Sequence, residues 1–375
     1  MARILHLSEY TKGGVGTHLR EVLGYQSDRH DVYLLVSAFN SDPSSLRISP
    51  DRVLTYPYKR NPAYFLRAMR SIRKTVDAVD PDIVHVHGTF AGLFLRTLFL
   101  FKRRRPLVVY CAHGWSFLMD AVPWKRKLYA WAEKTMSLRT DAIIHISHHE
   151  YEMAMRYGLP EGKSTVVYNG VSDAKPSEWP DGATPFDGPQ DGINLLFVGR
   201  FDRQKGFDLL LDVFNEHRFD NVRLFLAGES VLRQRDYAYP DNAVKLGWVS
   251  NADIDRYMSA CDAVVVPSRW EGFGIVAIEA LRNKKPVIAS NRGALPEIVR
   301  HGENGYVFDF DNKEELADIV RRLDKATLAR MGEAGGRIFD AKFRSDRMNK
   351  QIERLYESVA GRFAGVVPAK ATNDG

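Results

Sequence analysis

The chain reads as an α/β protein built from two doubly wound domains in tandem, each a parallel sheet covered on both faces by helices. Three observations predict this. Short apolar runs, mostly without clean polar alternation, are separated by stretches long enough for crossover helices. That alternation occurs twice along the chain. The 375 residues also exceed the size at which a single core usually keeps growing.

In the first half, residues 3–8, 32–37, 83–87, 107–111 and 142–147 read as strands. Residues 16–23, 63–79, 90–102 and 124–137 between them read as helices. Residues 172–190 hold four prolines and many turn formers, which predicts a linker. In the second half, 194–198, 222–227, 243–246, 263–266 and 286–289 read as strands, with helices beginning near Gly206, Asn251, Gly274 and Lys313. A last helix over 344–360 carries Met348, Ile352, Leu355 and Tyr356 at helical spacing. The predicted organisation is a first domain over 1–171, the linker, a second domain over 191–343 and a helical segment over 344–368. That segment is a candidate to pack back on the first domain. Residues 369–375 read as a frayed tail. Two doubly wound domains in tandem predict a ligand crevice at the carboxyl ends of their strands.

The composition, 45% hydrophobic and 27% charged, excludes a disordered chain, a collagen-like repeat and a disulfide-stapled miniprotein. Cys111 and Cys261 lie far apart in apolar runs and read as packed, reduced thiols of a cytosolic protein. The opening MARILHLSEY has no long apolar stretch, so no signal peptide is expected. The most apolar segment, 90–101, is interrupted by Arg96 and is too short to cross a bilayer. Charge is uneven: residues 1–170 carry 24 Lys and Arg against 15 Asp and Glu, whereas the remainder carries 29 against 32. A positive field confined to one half suggests an anionic partner there.

Several residues carry candidate chemistry. Gly13, Gly14 and Gly16 lie between the first strand and a helix. They suit either close approach of an anion or sugar, or a tight turn. The spacing is neither the dinucleotide fingerprint nor a P-loop. His85 and His87 share a strand face, and with His145, His148 and His149 they invite a metal site. Their spacing does not support one, so hydrogen bonding in the fold is the expectation. His113 follows the strand 107–111 beside a glycine and an aromatic, the position of a crevice ligand. Arg200 and Lys205, five apart in a tight loop after a buried strand, suit a diphosphate. Glu271, Gly272, Phe273 and Gly274 enter a helix that holds Glu279. The N–H groups at that helix start suit phosphate oxygens, and two glutamates eight apart can reach the ends of one extended ligand.

Together these motifs resemble the GT-B glycosyltransferases of the large retaining family 4, over essentially the whole chain. The resemblance rests on GGVG, HVHG, AHGW, YNGV, GRFDRQKG, EGFGIVAIE, NRGALPEIV and NGYVF. It implies two Rossmann-like domains facing across a deep cleft, the first binding acceptor and the second binding a nucleotide sugar. It further implies that Glu279 binds the donor ribose, that Glu271 contacts the transferred sugar, and that Arg200 and Lys205 stabilise the leaving diphosphate. His113 would lie near the sugar hydroxyls, Gly14 to Gly16 would cover the donor phosphates, and Gly272, Phe273 and Gly274 would line the donor site. No metal or cofactor is implied, and no protein general base. Arg269 and Trp270 depart modestly from the pattern, because many members carry less bulky residues before the first glutamate.

The expectation is a hexosyltransferase that moves sugar from a UDP or GDP donor to a lipid-linked or soluble saccharide acceptor in bacterial surface polysaccharide or glycolipid synthesis. An epimerase or hydrolase of the same fold, or a noncatalytic sugar-nucleotide-binding subunit, are the alternatives. A phosphorylase would need a pyridoxal lysine and a longer chain. Three basic-aromatic regions of the first domain suit an anionic membrane surface on the inner face of the cytoplasmic membrane. They are 102–105, the set Tyr58, Lys59, Arg60, Tyr64, Phe65, Arg67, Arg70 and Arg73, and 124–127. No nucleic-acid reader motif accompanies them.

Overall fold

A computed structural model describes residues 1–39, 41–100, 102, 104–173, 186, 192–230, 237–250 and 253–363. The chain divides into two units, Met1–Asn169 with the segment from Ser345, and Gly170–Arg344. Most of the predicted linker, apart from Ser172, Asp173 and Phe186, and the predicted tail lie outside the described residues. Phe186 itself is buried against Phe225 of the second unit.

The first unit runs β1 (Arg3–Ser8), α1 (Gly13–Gln26), β2 (Asp31–Ser37), β3 (Val53–Tyr56), α2 (Phe65–Val79), β4 (Ile83–His87), α3 (Thr89–Leu98), β5 (Leu107–Cys111), α4 (Pro123–Met136), β6 (Ala142–His145), α5 (His148–Arg156) and β7 (Ser164–Val166). The second runs β8 (Ile193–Val198), α6 (Phe207–Glu216), β9 (Val222–Ala227), β10 (Ala243–Gly247), α7 (Ile254–Ala260), β11 (Ala263–Val266), α8 (Ile275–Arg282), β12 (Val287–Ser290), α9 (Leu295–Ile298), β13 (Gly305–Phe308), α10 (Lys313–Arg321) and α11 (Lys325–Lys342). Helix α12 (Ser345–Phe363) then belongs to the first unit, where it packs on α1.

Both sheets are wholly parallel. Their orders are β3-β2-β1-β4-β5-β6-β7 and β10-β9-β8-β11-β12-β13, the doubly wound order in which crossover direction reverses beside the first strand. In the first sheet that reversal lies between β1 and β4, where His6 is level with His85 and Ser8 with His87. In the second it lies between β8 and β11. Central strands are buried along nearly their whole length, so they read as continuous apolar runs. Helix α2 covers its sheet with Ala68, Ile72 and Val76, one residue per turn.

Departures from the sequence reading have local causes. The predicted strand 142–147 stops at His145 because Ser147 caps α5, its hydroxyl accepting from Glu150 N at 3.1 Å. Glu150 reaches back to Ile146 N at 3.3 Å, in the manner of a capping box. Strands β3, β7 and β13 are edge strands of three or four residues, too short to show a period. Helix α11 contains Gly332, Gly335 and Gly336, which dilute its helical signal. Tyr58, assigned to a basic-aromatic surface, is a fully buried core residue.

The apolar segment at 90–101 contains α3, and among the described residues no helix is long and apolar enough to cross a membrane. Arg96, which interrupts it, is buried. Its guanidinium donates to Glu133 of α4 at 2.8 Å and to the Gly92 carbonyl at 2.9 Å, and lies 3.7 Å from the Tyr110 ring centre. Tyr110 donates its hydroxyl to the other Glu133 oxygen at 3.1 Å. Removing one partner of a buried, bonded pair leaves an uncompensated charge. Glu133→Ala is therefore expected to cost about 3–5 kcal/mol in urea unfolding, whereas the paired change Arg96→Leu with Glu133→Leu recovers much of that loss.

Candidate active site

In the second unit the candidate residues leave the carboxyl ends of β8 and β11, the adjacent strands at the reversal. Arg200 and Lys205 lie in the loop after β8, and Ser268 and Glu271 follow β11. Lys205 Nζ donates to Glu271 Oε2 at 2.6 Å, and Ser268 Oγ donates to the same oxygen at 3.1 Å. Two residues expected to serve different parts of the donor, its diphosphate and its sugar, thus form one ion pair. Arg200 is 44% exposed, with Nη2 2.6 Å from Gln204 Oε1 and Nε 3.2 Å from Asp202. Asp202 also accepts from Lys205 N at 3.0 Å, which ties the loop to itself.

The Glu271 backbone is held from the loop after β12. Gly293 has a φ of 59°, and a Cβ there would stand 1.9 Å from the Glu271 carbonyl oxygen. Only glycine permits that approach. Gly274, with φ 106°, precedes α8, whose first N–H groups have no side-chain cap. An uncapped helix start is an anion site in waiting. Glu279 lies on α8 and is 9% exposed. The Phe273 side chain is buried and meets Phe343 edge-on at 5.9 Å. It therefore belongs to the packing of the unit, and the reading of residues 272–274 as phosphate contacts concerns their backbone. Arg269, a departure from the family pattern, braces the β8 loop by donating to Asp208 at 3.2 Å through both Nη atoms, and lies 4.8 Å from the Phe310 ring centre.

In the first unit, helix α1 begins at the glycines. Gly13 and Gly14 are exposed, Lys12 provides no side-chain cap and no acidic residue occupies the first turn. Gly16 is buried, and a Cβ on it would lie 2.1 Å from the Thr11 carbonyl oxygen. The two readings of the cluster therefore divide: Gly16 packs a turn, while Gly13 and Gly14 leave amides open to an anion.

His85, His87 and His113 join His6 of β1 and His18 of α1 in one group. His6 Nδ1 is 3.0 Å from His87 Nε2, and His87 Nδ1 is 2.9 Å from His113 Nε2. His85 Nδ1 is 2.7 Å from the Tyr356 hydroxyl, and His18 Nδ1 is 2.9 Å from Asn169 Oδ1. His113 has a φ of 53°, the left-handed region. Triads such as His6, His85 and His87 come near enough for one ion, but both nitrogens of His6 and of His87 already serve hydrogen bonds. His145 stands apart and accepts from Trp115 Nε1 at 3.3 Å. His6 and His18 were not read from the sequence as site residues. The available signal was a polar residue in a strand otherwise buried on both faces.

Residues 12–175 match the family model for glycosyltransferase family 4, and residues 186–338 match that for glycosyl transferases group 1. The chain is 32% identical over 360 residues to an uncharacterized 41.2 kDa protein in the cps region of Klebsiella pneumoniae, covering 95% of this chain and 99% of that one. The chain belongs to the family 4 glycosyltransferases. This glycosyltransferase is also 27% identical to the phosphatidyl-myo-inositol mannosyltransferase of Mycobacterium leprae, over 93% of this chain and 94% of that protein. The crystal structure of Anabaena HepE in complex with UDP-glucose matches it with a TM-score of 0.77 at 20% identity, covering 96% and 100% of the two chains. The fold is GT-B.

Within this glycosyltransferase the histidine group is electrically neutral at ordinary pH. Burial pushes His6, His18 and His145 down to about 4. Burial also drives His85, His87 and His113 well below the usual imidazole range, and neighbouring rings add to it. The unfolded chain binds more protons than the folded one between the two values, so stability is full above about pH 6.5 and falls as pH drops toward 4. Each of His6, His18 and His145 is expected to contribute about 1.4 kcal/mol per pH unit to that fall. Urea unfolding at pH 7.5, 6.0 and 5.0 reads the slope, and His6→Asn should make it shallower.

Proposed function

We propose that this glycosyltransferase is a retaining, metal-independent hexosyltransferase. It takes its sugar from a UDP- or GDP-linked donor and passes it to a saccharide acceptor, lipid-linked in the favoured reading. The observation that carries this is the cluster of Arg200, Lys205, Ser268 and Glu271 at the carboxyl ends of β8 and β11. A diphosphate leaves only when its growing charge is neutralised. Arg200, Lys205 and the uncapped start of α8 offer two cations and oriented N–H groups for that charge, the task a metal performs in other transferases. Diphosphate binding draws Lys205 from Glu271, and the freed carboxylate then accepts from hydroxyls of the transferred sugar. Glu279 takes the ribose. In the first unit, the Gly13 and Gly14 amides suit phosphate oxygens and His113 suits a sugar hydroxyl. The bond from the anomeric carbon to the phosphate oxygen breaks as the acceptor oxygen attacks from the same face. The acceptor proton passes to the departing diphosphate, so no protein base is needed. HepE with UDP-glucose supports a nucleotide-sugar donor.

The lipid-linked acceptor is supported by the mannosyltransferase relative, whose name specifies a phosphatidylinositol. It is supported also by α4 and the turn after it, where Trp124, Leu128, Trp131 and Leu138 are 49–70% exposed at helical spacing. Lys125, Lys127 and Lys134 are exposed beside them, so the surface combines an apolar stripe with cations as an interfacial helix does. The other basic regions are weaker: Arg60 pairs with buried Glu9 at 2.7 Å, Lys102 with Asp77 at 2.7 Å and Arg105 with Asp141 at 2.5 Å.

Nucleotide release from UDP-glucose, UDP-galactose, UDP-N-acetylglucosamine and GDP-mannose in EDTA, with and without a lipid extract, tests the reaction. The expected outcome is release from one donor that rises with the extract, and a kcat about 10²–10³-fold lower in Arg200→Ala. Release or isomerisation that ignores the extract would replace the transferase reading with a hydrolase or epimerase. Sedimentation with anionic vesicles tests the membrane contact. The paired change Trp124→Ser with Trp131→Ser should abolish binding while leaving nucleotide release from a soluble acceptor assay unchanged.

A further inference from the structure

One continuous line of hydrogen bonds crosses the first unit from α12 to His113. Glu353 of α12 accepts from Gln26 Nε2 at 3.0 Å and stands 2.8 Å from His30 Nε2. Gln26 Oε1 is 2.8 Å from His6 Nε2. His6 Nδ1 meets His87 Nε2 at 3.0 Å, and His87 Nδ1 meets His113 Nε2 at 2.9 Å. Gln26, His6 and His87 are fully buried.

The chemistry of the end groups sets the direction of every bond in the line. A carboxylate only accepts. Glu353 therefore requires the amide nitrogen of Gln26, which turns the amide oxygen toward His6. His6 must then donate from Nε2, and a neutral imidazole that donates from one nitrogen accepts at the other. His87 accordingly donates from Nε2 to His6 and accepts at Nδ1, and His113 donates from Nε2 to His87. At the other side of Glu353, His30 Nδ1 accepts from the Ala2 N–H at 3.3 Å, which leaves its Nε2 to donate to the carboxylate. No step has two donors or two acceptors facing each other. His113 ends the line with Nδ1 as a lone pair, and among the described residues nothing is bonded to it.

We propose that Glu353, Gln26, His6 and His87 act as a positioning relay that fixes His113 in the Nε2–H form, so that His113 Nδ1 accepts a hydrogen bond from a hydroxyl of the transferred sugar. The proposal rests on the reading of His113 as a sugar contact and adds its polarity: the site selects a hydroxyl that donates. It also gives α12 a role in the site, since the carboxylate that orients the line comes from the last helix. An amide at 353 presents either an oxygen or a nitrogen to Gln26, so Glu353→Gln removes the polarity without removing the shape.

The test pairs a spectroscopic readout with kinetics on the full chain. In protein labelled with ¹⁵N-histidine, His113, assigned through His113→Asn, is expected to show a protonated Nε2 and an unprotonated Nδ1. Glu353→Gln should mix the two tautomers and lower kcat/KM for the donor about tenfold, the worth of one hydrogen bond, with UDP or GDP affinity unchanged because the free nucleotide lacks the sugar. Gln26→Met breaks the same line at another point and should do likewise, which covers a Glu353 variant that folds poorly. A wild-type His113 protonated at Nδ1, or a tautomer indifferent to both substitutions, overturns the relay. A fixed tautomer beside a fully active His113→Ala enzyme overturns instead the sugar contact on which the proposal rests.

Discussion

All pairings in both sheets are parallel, so every strand ends at the same edge of its sheet and each return must cross through a helix or loop. Where the crossovers change direction, beside β1 in one unit and β8 in the other, neighbouring loops diverge and leave room above the strand ends. The candidate chemistry collects there. Arg200 and Lys205 follow β8, Ser268 and Glu271 follow β11, the glycines follow β1, and His87 ends β4. The helices covering both faces keep the central strands dry, which is why polar side chains at these strand ends must find partners within the protein.

Burial then decides how those side chains behave. In the first unit five imidazoles pack so closely that none could carry charge without a large desolvation cost, and three of them join Gln26 in a neutral line that ends on the Glu353 carboxylate. In the second unit Lys205 and Glu271 are only partly buried and remain an ion pair. The difference suits two kinds of contact. A neutral, oriented acceptor recognises a hydroxyl, whereas a pair of opposite charges within reach of solvent can be separated by an incoming diphosphate. The buried Arg96–Glu133 pair is a third case, in which ionic groups serve the packing of α3 on α4 and Tyr110.

Much of this was legible in the chain itself. The two runs of strand and helix, the strands 3–8, 83–87, 107–111, 222–227 and 263–266, and the glycine, Arg-Lys and paired-glutamate motifs all followed from local pattern. The edge strands β3, β7 and β13 did not, because three or four residues cannot display a period. The exposed stripe on α4 was seen only as a basic-aromatic start at 124–127, since its aromatics look from spacing alone like a face turned to a core. Tyr58 departs in the opposite sense, a core residue in a stretch that reads as a contact surface.

Local features followed from the residues in order: hydrophobic period, turn chemistry and short motifs whose members lie within one loop or helix turn. The tertiary structure alone decided which distant side chains meet. Lys205 and Glu271 are 66 positions apart, and Gln26 and Glu353 are 327 apart. The register between β1 and β4, and the return of α12 to α1, brought His6 beside His87 and a carboxylate to Gln26. No spacing along the chain encodes that meeting, because it arises from how parallel strands align and where the last helix finds a surface to bury.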